Sequence, residues 1–413
     1  MNTDLETLTG YIKSQIPAMV SLETLLSSIP AMSPESEGEG ELAKCEALSL
    51  ALRELGFSHF ERYDAPDPRV PSKIRPNLVV TIPGKSDAHR VWFITHMDVV
   101  PPGDLTKWDS DPWKVIEKDG KLFGRGVEDN QQGLVSSVFA SLAFIKTGIM
   151  PPHTIKLLFA ADEETGSEYG TLYLLEHFSL FRETDLILIP DGGDARGSTI
   201  EIAEKNLLWL RITTKGKQTH GSRPDQGSNA HLAACALALA LNSLETSFDR
   251  RDSLFEPDRS TFQPTRKETN VPNINTIPGL DVFCMDCRIL PCYSLNVVRK
   301  EISRLAREIE VNYHVEITWT EEQTSESPAT PVTAPVVRHL TDAIAEVYGV
   351  TATPVGIGGG TVAAGLRNRG FDAVVWSRMD ETAHQPNEYC ILENLTGDAC
   401  VMAAFVLDVG KMN

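Results

Sequence analysis

The sequence predicts an α/β fold, a sheet covered by helices, interrupted by a smaller inserted α+β domain. Three observations carry that expectation. In the first half, short β-rich runs alternate with helical periodicities. In the middle stands a strand–helix–strand–helix–strand block with its own apolar faces. After a linker rich in Pro, Ser and Thr (Ser325 to Pro335), helix and strand alternation resumes to the C-terminus.

Each element follows from its residues. Glu41 to Leu55 reads as a helix, with Leu48, Leu52 and Leu55 on one face and Gly56 as its stop. Asn77 to Ile82, Val91 to Thr95, Ile155 to Ala160 and Asp185 to Pro190 read as strands, and Gln132 to Lys146 as a helix closed by Gly148. In the middle block, LLWLRITTKG is a strand, Asn229 to Leu244 an Ala/Leu-rich helix and Val282 to Ile289 a second strand. Leu295 to Val311 is an amphipathic helix and HVEITWT the last strand, with a polar loop around Asp249 to Glu268. These boundaries assign residues 1–205 and 321–413 to one catalytic domain and 206–320 to the insertion.

Composition narrows the function. The 413 residues suggest two or three domains at roughly 150 residues each. With 38 basic against 57 acidic residues, the net charge of −19 speaks against nucleic acid or an anionic membrane as partner. The longest apolar run, Leu232 to Leu241, falls far short of the roughly 20 residues a spanning helix needs. The N-terminal segment, carrying Asp4 and Glu6, does not read as a signal peptide. Seven scattered cysteines make no disulfide framework, so a cytoplasmic location is expected. Cys284 and Cys287 form a C-x-x-C, but no second ligand pair follows, and a strand sends the two to opposite faces. Free thiols are the expectation.

Polar clusters recur directly after apolar strands. His96-Met97-Asp98 follows Val91 to Thr95; Asp162-Glu163-Glu164 follows Ile155 to Ala160; Asp191 follows Asp185 to Pro190. His384 comes a short loop after Ala373 to Trp376, and a glycine-bearing turn from Gly124 places Asp129 at the start of the Gln132 helix. Ligands of open α/β sheets bind at the carboxyl ends of strands. Singly, each cluster has a plainer reading: a structural histidine, a solvated acidic loop, an ordinary helix cap. Jointly, two histidines and several carboxylates make a mixed N/O set suited to zinc, cobalt or manganese. His-x-Asp adds a carboxylate able to hold the imidazole tautomer, and adjacent glutamates permit one to bind metal while the other handles protons.

Here the sequence resembles the di-zinc amidohydrolases that include acetylornithine deacetylase, succinyl-diaminopimelate desuccinylase, aminoacylase, carboxypeptidase G and the related di- and tripeptidases. The resemblance rests on His96 to Trp113, Gly124 to Gly133, Ala161 to Gly170, Thr219 to Ala230, Asn273 to Arg288, Gly358 to Thr361 and Thr382 to Glu388, in order along nearly the whole chain. It implies a zinc-peptidase-like catalytic domain with a central mixed sheet, and a ferredoxin-like inserted lid or dimerisation domain. It also implies two Zn2+, with Co2+ or Mn2+ as possible substitutes. Asp129 would bridge them, His96 and Asp191 completing one metal and Glu164 and His384 the other. Asp98 would orient His96, and the Asp129–Asn130 peptide bond is a candidate for the cis form.

The reaction implied is cleavage of an amide bond in an N-acyl amino acid or small peptide by a metal-bridged hydroxide, with Glu163 as general base. His220 would stabilise the oxyanion, normally across a homodimer interface formed by the insertion. Asn275, Arg288 and the Gly359, Gly360 and Thr361 loop resemble groups that bind a substrate carboxylate, a task suited to the planar guanidinium. Three features depart from the family pattern. Val362 replaces a usual Asp, Gln131 and Gln132 stand where a lysine-containing pair is usual, and Asp191 is Asp rather than the Glu of many deacylases. The last departure leans toward peptide-like substrates, and deacylase and dipeptidase both stay open. A catalytically silent relative would have lost a ligand or Glu163, and every position is filled.

Overall fold

The computed structural model describes residues 3–412. Within it the chain divides into two compact units, Met1–Ile202 with Thr330–Val355 and Gly365–Asn413, and Ala203–Ala329 with Gly356–Ala364.

The larger unit is built on strands β1 (His59–Pro66), β2 (Ile74–Ile82), β3 (Ser86–His96), β4 (Ile116–Lys118), β5 (Lys121–Phe123), β6 (His153–Ala160), β7 (Leu186–Asp194) and β8 (Thr199–Glu204). The smaller unit contributes β9 (Asn206–Lys215), β10 (Thr219–His220), β11 (Thr261–Lys267), β12 (Thr276–Ile277), β13 (Leu280–Ile289) and β14 (Glu316–Ser325). The remaining strands are β15 (Thr353–Ile357), β16 (Ala373–Arg378) and β17 (Tyr389–Ile391). Helices are α1 (Thr3–Ser14), α2 (Ile16–Ser27), α3 (Leu42–Leu55), α4 (Gly133–Thr147), α5 (Thr171–His177), α6 (Ala230–Asn242), α7 (Leu295–Tyr313), α8 (Pro335–Tyr348), α9 (Ala363–Asn368) and α10 (Leu392–Val409).

The large sheet is mixed, with eight strands in the order β1-β2-β6-β3-β7-β16-β8-β15. Its centre is parallel: β3 runs with β6 and β7, and β16 with β7. These strands are continuous Val/Ile/Leu/Phe runs, as strands covered on both faces must be. Helix α4 is buried from Gly133 through Phe144, and α10 is buried along most of its length. Leu5, Leu8 and Ile12 of α1 are buried too, so the acidic N-terminus belongs to a structural helix. No helix among the described residues is long and apolar enough to cross a membrane.

The smaller unit carries a four-stranded antiparallel sheet, order β11-β13-β9-β14, with α6 and α7 in a β-α-β-β-α-β sequence, the ferredoxin-like arrangement. Leu208, Leu210, Ile212, Leu237, Phe262, Met285 and Ile302 build its core. The polar stretch Asp249 to Glu268, expected as loop, contains the edge strand β11. Only Phe262 of that strand is buried, so it has no alternating apolar pattern to read. The unit also runs to Ala329 and takes in Gly356–Ala364, where the sequence boundaries were drawn at 206–320. All seven cysteines are free. Cys287 faces the core, where burial pushes its thiol up to about 12, and Cys284 is only half-buried.

Candidate metal centre

The parallel strands end on one edge of the sheet, and the expected ligands collect there. His96 is the last residue of β3, Glu163 and Glu164 follow β6 directly, Asp191 lies within the longer-than-expected β7, and His384 follows β16. Asp162 turns the chain at φ 64°, a left-handed conformation held by Thr165 Oγ1 and the Tyr169 N–H, which both donate to its carboxylate. Asp129 enters from the turn before α4. Gly126 there has φ 82°, and a Cβ on it would lie 2.6 Å from Val99. The Asp129–Asn130 peptide bond is cis.

Asp129 offers one oxygen to each histidine. His96 Nε2 lies 3.0 Å from Oδ1, and His384 Nε2 lies 3.0 Å from Oδ2. Around that carboxylate, His96 Nε2 is 3.6 Å from Asp191 Oδ1, and His384 Nε2 is 3.0 Å from Glu164 Oε2. The donor atoms of His96, Asp129 and Glu164 lie within 4.8 Å of one another, as do those of His96, Glu163 and Asp191. Glu163, expected to act on protons alone, therefore also reaches ligand distance.

The electrostatics are those of a site built for a cation. Burial pushes Glu163 well above the usual carboxylate range; nearby His96 opposes this, and Asp191, Asp129 and Glu164 add to it. Burial raises Asp191 and Glu164 likewise, against the pull of the histidines. Asp129 is instead held below its ordinary range, because hydrogen bonds from His384 and His96 outweigh burial. His384 is raised to about 10 by hydrogen bonds to Asp129 and Glu164. Four crowded carboxylates against two imidazoles leave negative charge that dications would neutralise, and the N/O donor set fits zinc.

The surroundings refine the expectations. His96 Nδ1 lies 3.0 Å from the main-chain carbonyl of Asp98 and 3.4 Å from its carboxylate, so the backbone holds the imidazole more closely than the expected side chain does. The Asp98 carboxylate accepts instead from the N–H groups of Glu163 (3.1 Å) and Glu164 (3.0 Å). Asn130 Nδ2 donates to Asp191 Oδ1 at 2.6 Å and to the Pro190 carbonyl at 2.7 Å, aiming that carboxylate. Glu388 carries little sequence signal of its own although it ends the Thr382 to Glu388 stretch. It is fully buried, and a buried acid in a polar loop looks like any other loop residue. The adjoining proline-asparagine turn was its only signal.

The remaining expected residues lie in the smaller unit, in two groupings. His220 on β10 pairs with Thr276 on β12, and the Asn275 carbonyl accepts from Gly221 N at 2.6 Å. His220 is exposed, with its Nδ1 2.8 Å from Ser222 Oγ. Arg288 stands beside the glycine loop and donates from Nη1 to the Gly358 carbonyl at 2.6 Å. Its Nε and Nη2 are occupied by Asp286 at 2.7 and 3.1 Å, so the lateral edge of the guanidinium fork is taken. Gly359 and Gly360 are open to solvent, and Thr361 Oγ1 donates to Glu204 at 2.6 Å.

Comparison with known proteins agrees with this geometry. The match to peptidase family M20/M25/M40 spans residues 92–408. An uncharacterized metallohydrolase of Methanocaldococcus jannaschii is 39% identical, covering 92% of this chain and 96% of the relative. A succinyl-diaminopimelate desuccinylase of Coxiella burnetii is 28% identical, covering 74% of this chain and 80% of the relative. Among solved structures, a di-peptidase from Saccharomyces cerevisiae has a TM-score of 0.76 at 17% identity, covering 100% of this chain and 99% of its own. An aminopeptidase from Bacillus cereus has a TM-score of 0.76 at 20% identity, covering 96% and 99%. The structures establish likeness of fold, and the sequence match establishes kinship. The chain belongs to peptidase family M20/M25/M40 and is a metal-binding hydrolase of the peptidase and amidohydrolase kind.

Proposed function

We propose that this metallohydrolase holds two zinc ions and cleaves an amide bond in a carboxylate-bearing N-acyl amino acid or small peptide. The observation that carries the reading is Asp129, whose two oxygens each face a different histidine at 3.0 Å. His96 and Asp191 would hold one ion and Glu164 and His384 the other. Zinc bound there supplies Lewis acidity, lowering the pKa of water and drawing electrons from the scissile carbonyl.

The protein's own groups do the rest. Glu163 takes a proton from the attacking water and delivers it to the departing amine, a role suited to a half-buried carboxyl that readily accepts a proton. Asp98 holds Glu163 and Glu164 in place through their N–H groups. His220 donates to the oxyanion, and Arg288 offers its remaining Nη hydrogens to the substrate carboxylate. A homodimer through the smaller unit would let His220 act on the partner's substrate. The seven free thiols support a reducing, cytoplasmic setting. Asp191 in place of Glu supports peptides over acylated amino acids as substrates.

Glu163→Gln should abolish turnover while zinc content persists, and retained turnover would overturn the proton role. Dialysis against a chelator should remove activity and added zinc, cobalt or manganese should restore it; activity surviving metal removal would sink the reading. A screen of N-acetyl, N-succinyl and dipeptide substrates, scored by released amine, separates deacylase from dipeptidase. Mixing His220→Ala with Glu163→Ala subunits should recover partial activity if His220 acts in trans.

A further inference from the structure

Two buried glutamates outside the ligand set tie the Asp129 turn to the His384 loop, each reaching from its own segment into the other. From the loop, the Glu388 carboxylate accepts from three turn N–H groups: Gly126 at 3.1 Å, Glu128 at 3.0 Å and Asp129 at 3.2 Å. The Arg125 guanidinium donates to the same carboxylate. From the turn, Glu128 accepts from Asp380 N at 2.9 Å, from Thr382 N, and from Thr382 Oγ1 at 2.7 Å. Main-chain bonds flank the exchange, with Gly124 N donating to the Glu388 carbonyl at 3.0 Å and Tyr389 paired with Phe123.

We propose that Glu128 and Glu388 are reciprocal positioning residues that fix the separation of Asp129 and His384, and so tune the metal held between them. The inference rests on the two-metal reading above. Its physical basis is rigidity. Both carboxylates are buried, at 3% and 0% exposure, where hydrogen bonds from N–H groups to a charged acceptor are strong and their loss leaves donors unsatisfied. His384 needs such support because its own loop is open: its side chain is 55% exposed, against 2% for His96. The His96 side has strand β3 and Asn130 to hold it, whereas the His384 side has this exchange.

The test measures metal affinity apart from activity. Apo-protein is titrated with Co2+, whose visible spectrum reports the two ions as they enter, and with Zn2+ against a competing chelator. Glu128→Gln turns an amide N–H2 toward backbone donors and should weaken one of the two ions roughly 10–100-fold, leaving the other at wild-type affinity. Thr382→Val, which removes one donor to Glu128 and the acceptor of Tyr389 N while leaving the backbone donors in place, should show a smaller loss of the same ion. Glu388→Gln, which frees the turn carrying Asp129, should weaken that ion at least as much; if it fails to fold, the Glu128 and Thr382 variants still decide the matter. Two ions bound at wild-type affinity by Glu128→Gln would overturn the proposal. So would equal weakening of both ions in step with a lowered unfolding midpoint, which marks a structural role alone. Wild-type protein binding fewer than two ions would overturn the two-metal reading, and this inference with it.

Discussion

Replacing Arg75 by methionine should destabilise the larger unit severely, and the structure sets the size of the effect. Arg75 is fully buried; its Nε lies 2.6 Å from Glu41 Oε2, and its Nη2 also bonds Glu41. The same guanidinium lies 3.2 Å from Asp162 and 3.5 Å from Asp67. Asp67 keeps Arg69 when Arg75 is removed, and Asp162 keeps Thr165 and Tyr169. Glu41 keeps a 3.3 Å bond from Asp162 N and the attraction of buried Lys44, but no side-chain ion pair that an Arg75 loss leaves intact, so its charge is the one most nearly stranded. Breaking a buried ion pair from one side costs about 3–5 kcal/mol, whereas replacing both partners by apolar groups is often nearly neutral. The Arg75→Met, Glu41→Met double variant should therefore be more stable than the two single losses summed, by at least about 3 kcal/mol. Urea unfolding of wild type, both singles and the double measures that coupling. A cost below about 1 kcal/mol for Arg75→Met, or losses that add within about 0.5 kcal/mol, would refute the reasoning.

Asp98→Asn should lower kcat/KM roughly 10–100-fold, because an amide cannot accept from both Glu163 N and Glu164 N; steady-state kinetics with metal content measured in parallel checks it. Asp398 gives a pH signature of stability. Burial raises its carboxyl from 3.8 to about 6, against donors from Ser377, Arg378 N, Tyr348 and Gln132. The folded protein thus holds this proton more tightly than the unfolded chain, so stability from Asp398 falls as pH rises from about 4 to 6 and is flat above, by up to about 3 kcal/mol. Asp398→Asn should lack that component, and a wild-type-minus-variant stability difference that stays constant over this range in urea titrations would contradict it.

The cluster of histidines and carboxylates was legible because strand-terminal polar residues interrupt apolar runs, and His96, Glu164 and Asp191 do so visibly. The core strands were legible for the same reason. What escaped was structure without an apolar signature. Strand β11 buries Phe262 and exposes most of its other side chains, and β4, β5 and β17 are three residues each. The role of Asp98 was only half legible: the His-x-Asp spacing brings carbonyl and carboxylate alike near Nδ1, and sequence cannot say which is nearer. Glu128 and Glu388 were silent because most of their partners are backbone N–H groups, which every residue but proline carries.

The order of strands in the large sheet sets a timetable for the nascent chain. Strand β16, among the last to be synthesised, is placed between β7 and β8, and His384 follows it. While the ribosome is still making the smaller unit, β7 has no neighbour on that side and Asp129 faces one histidine rather than two. The placing of Asp129 between His96 and His384 thus requires β16 and the loop after it. The His96 side of the cluster, with Asp129 and Asp191, is encoded before residue 192, and the His384 side is added last.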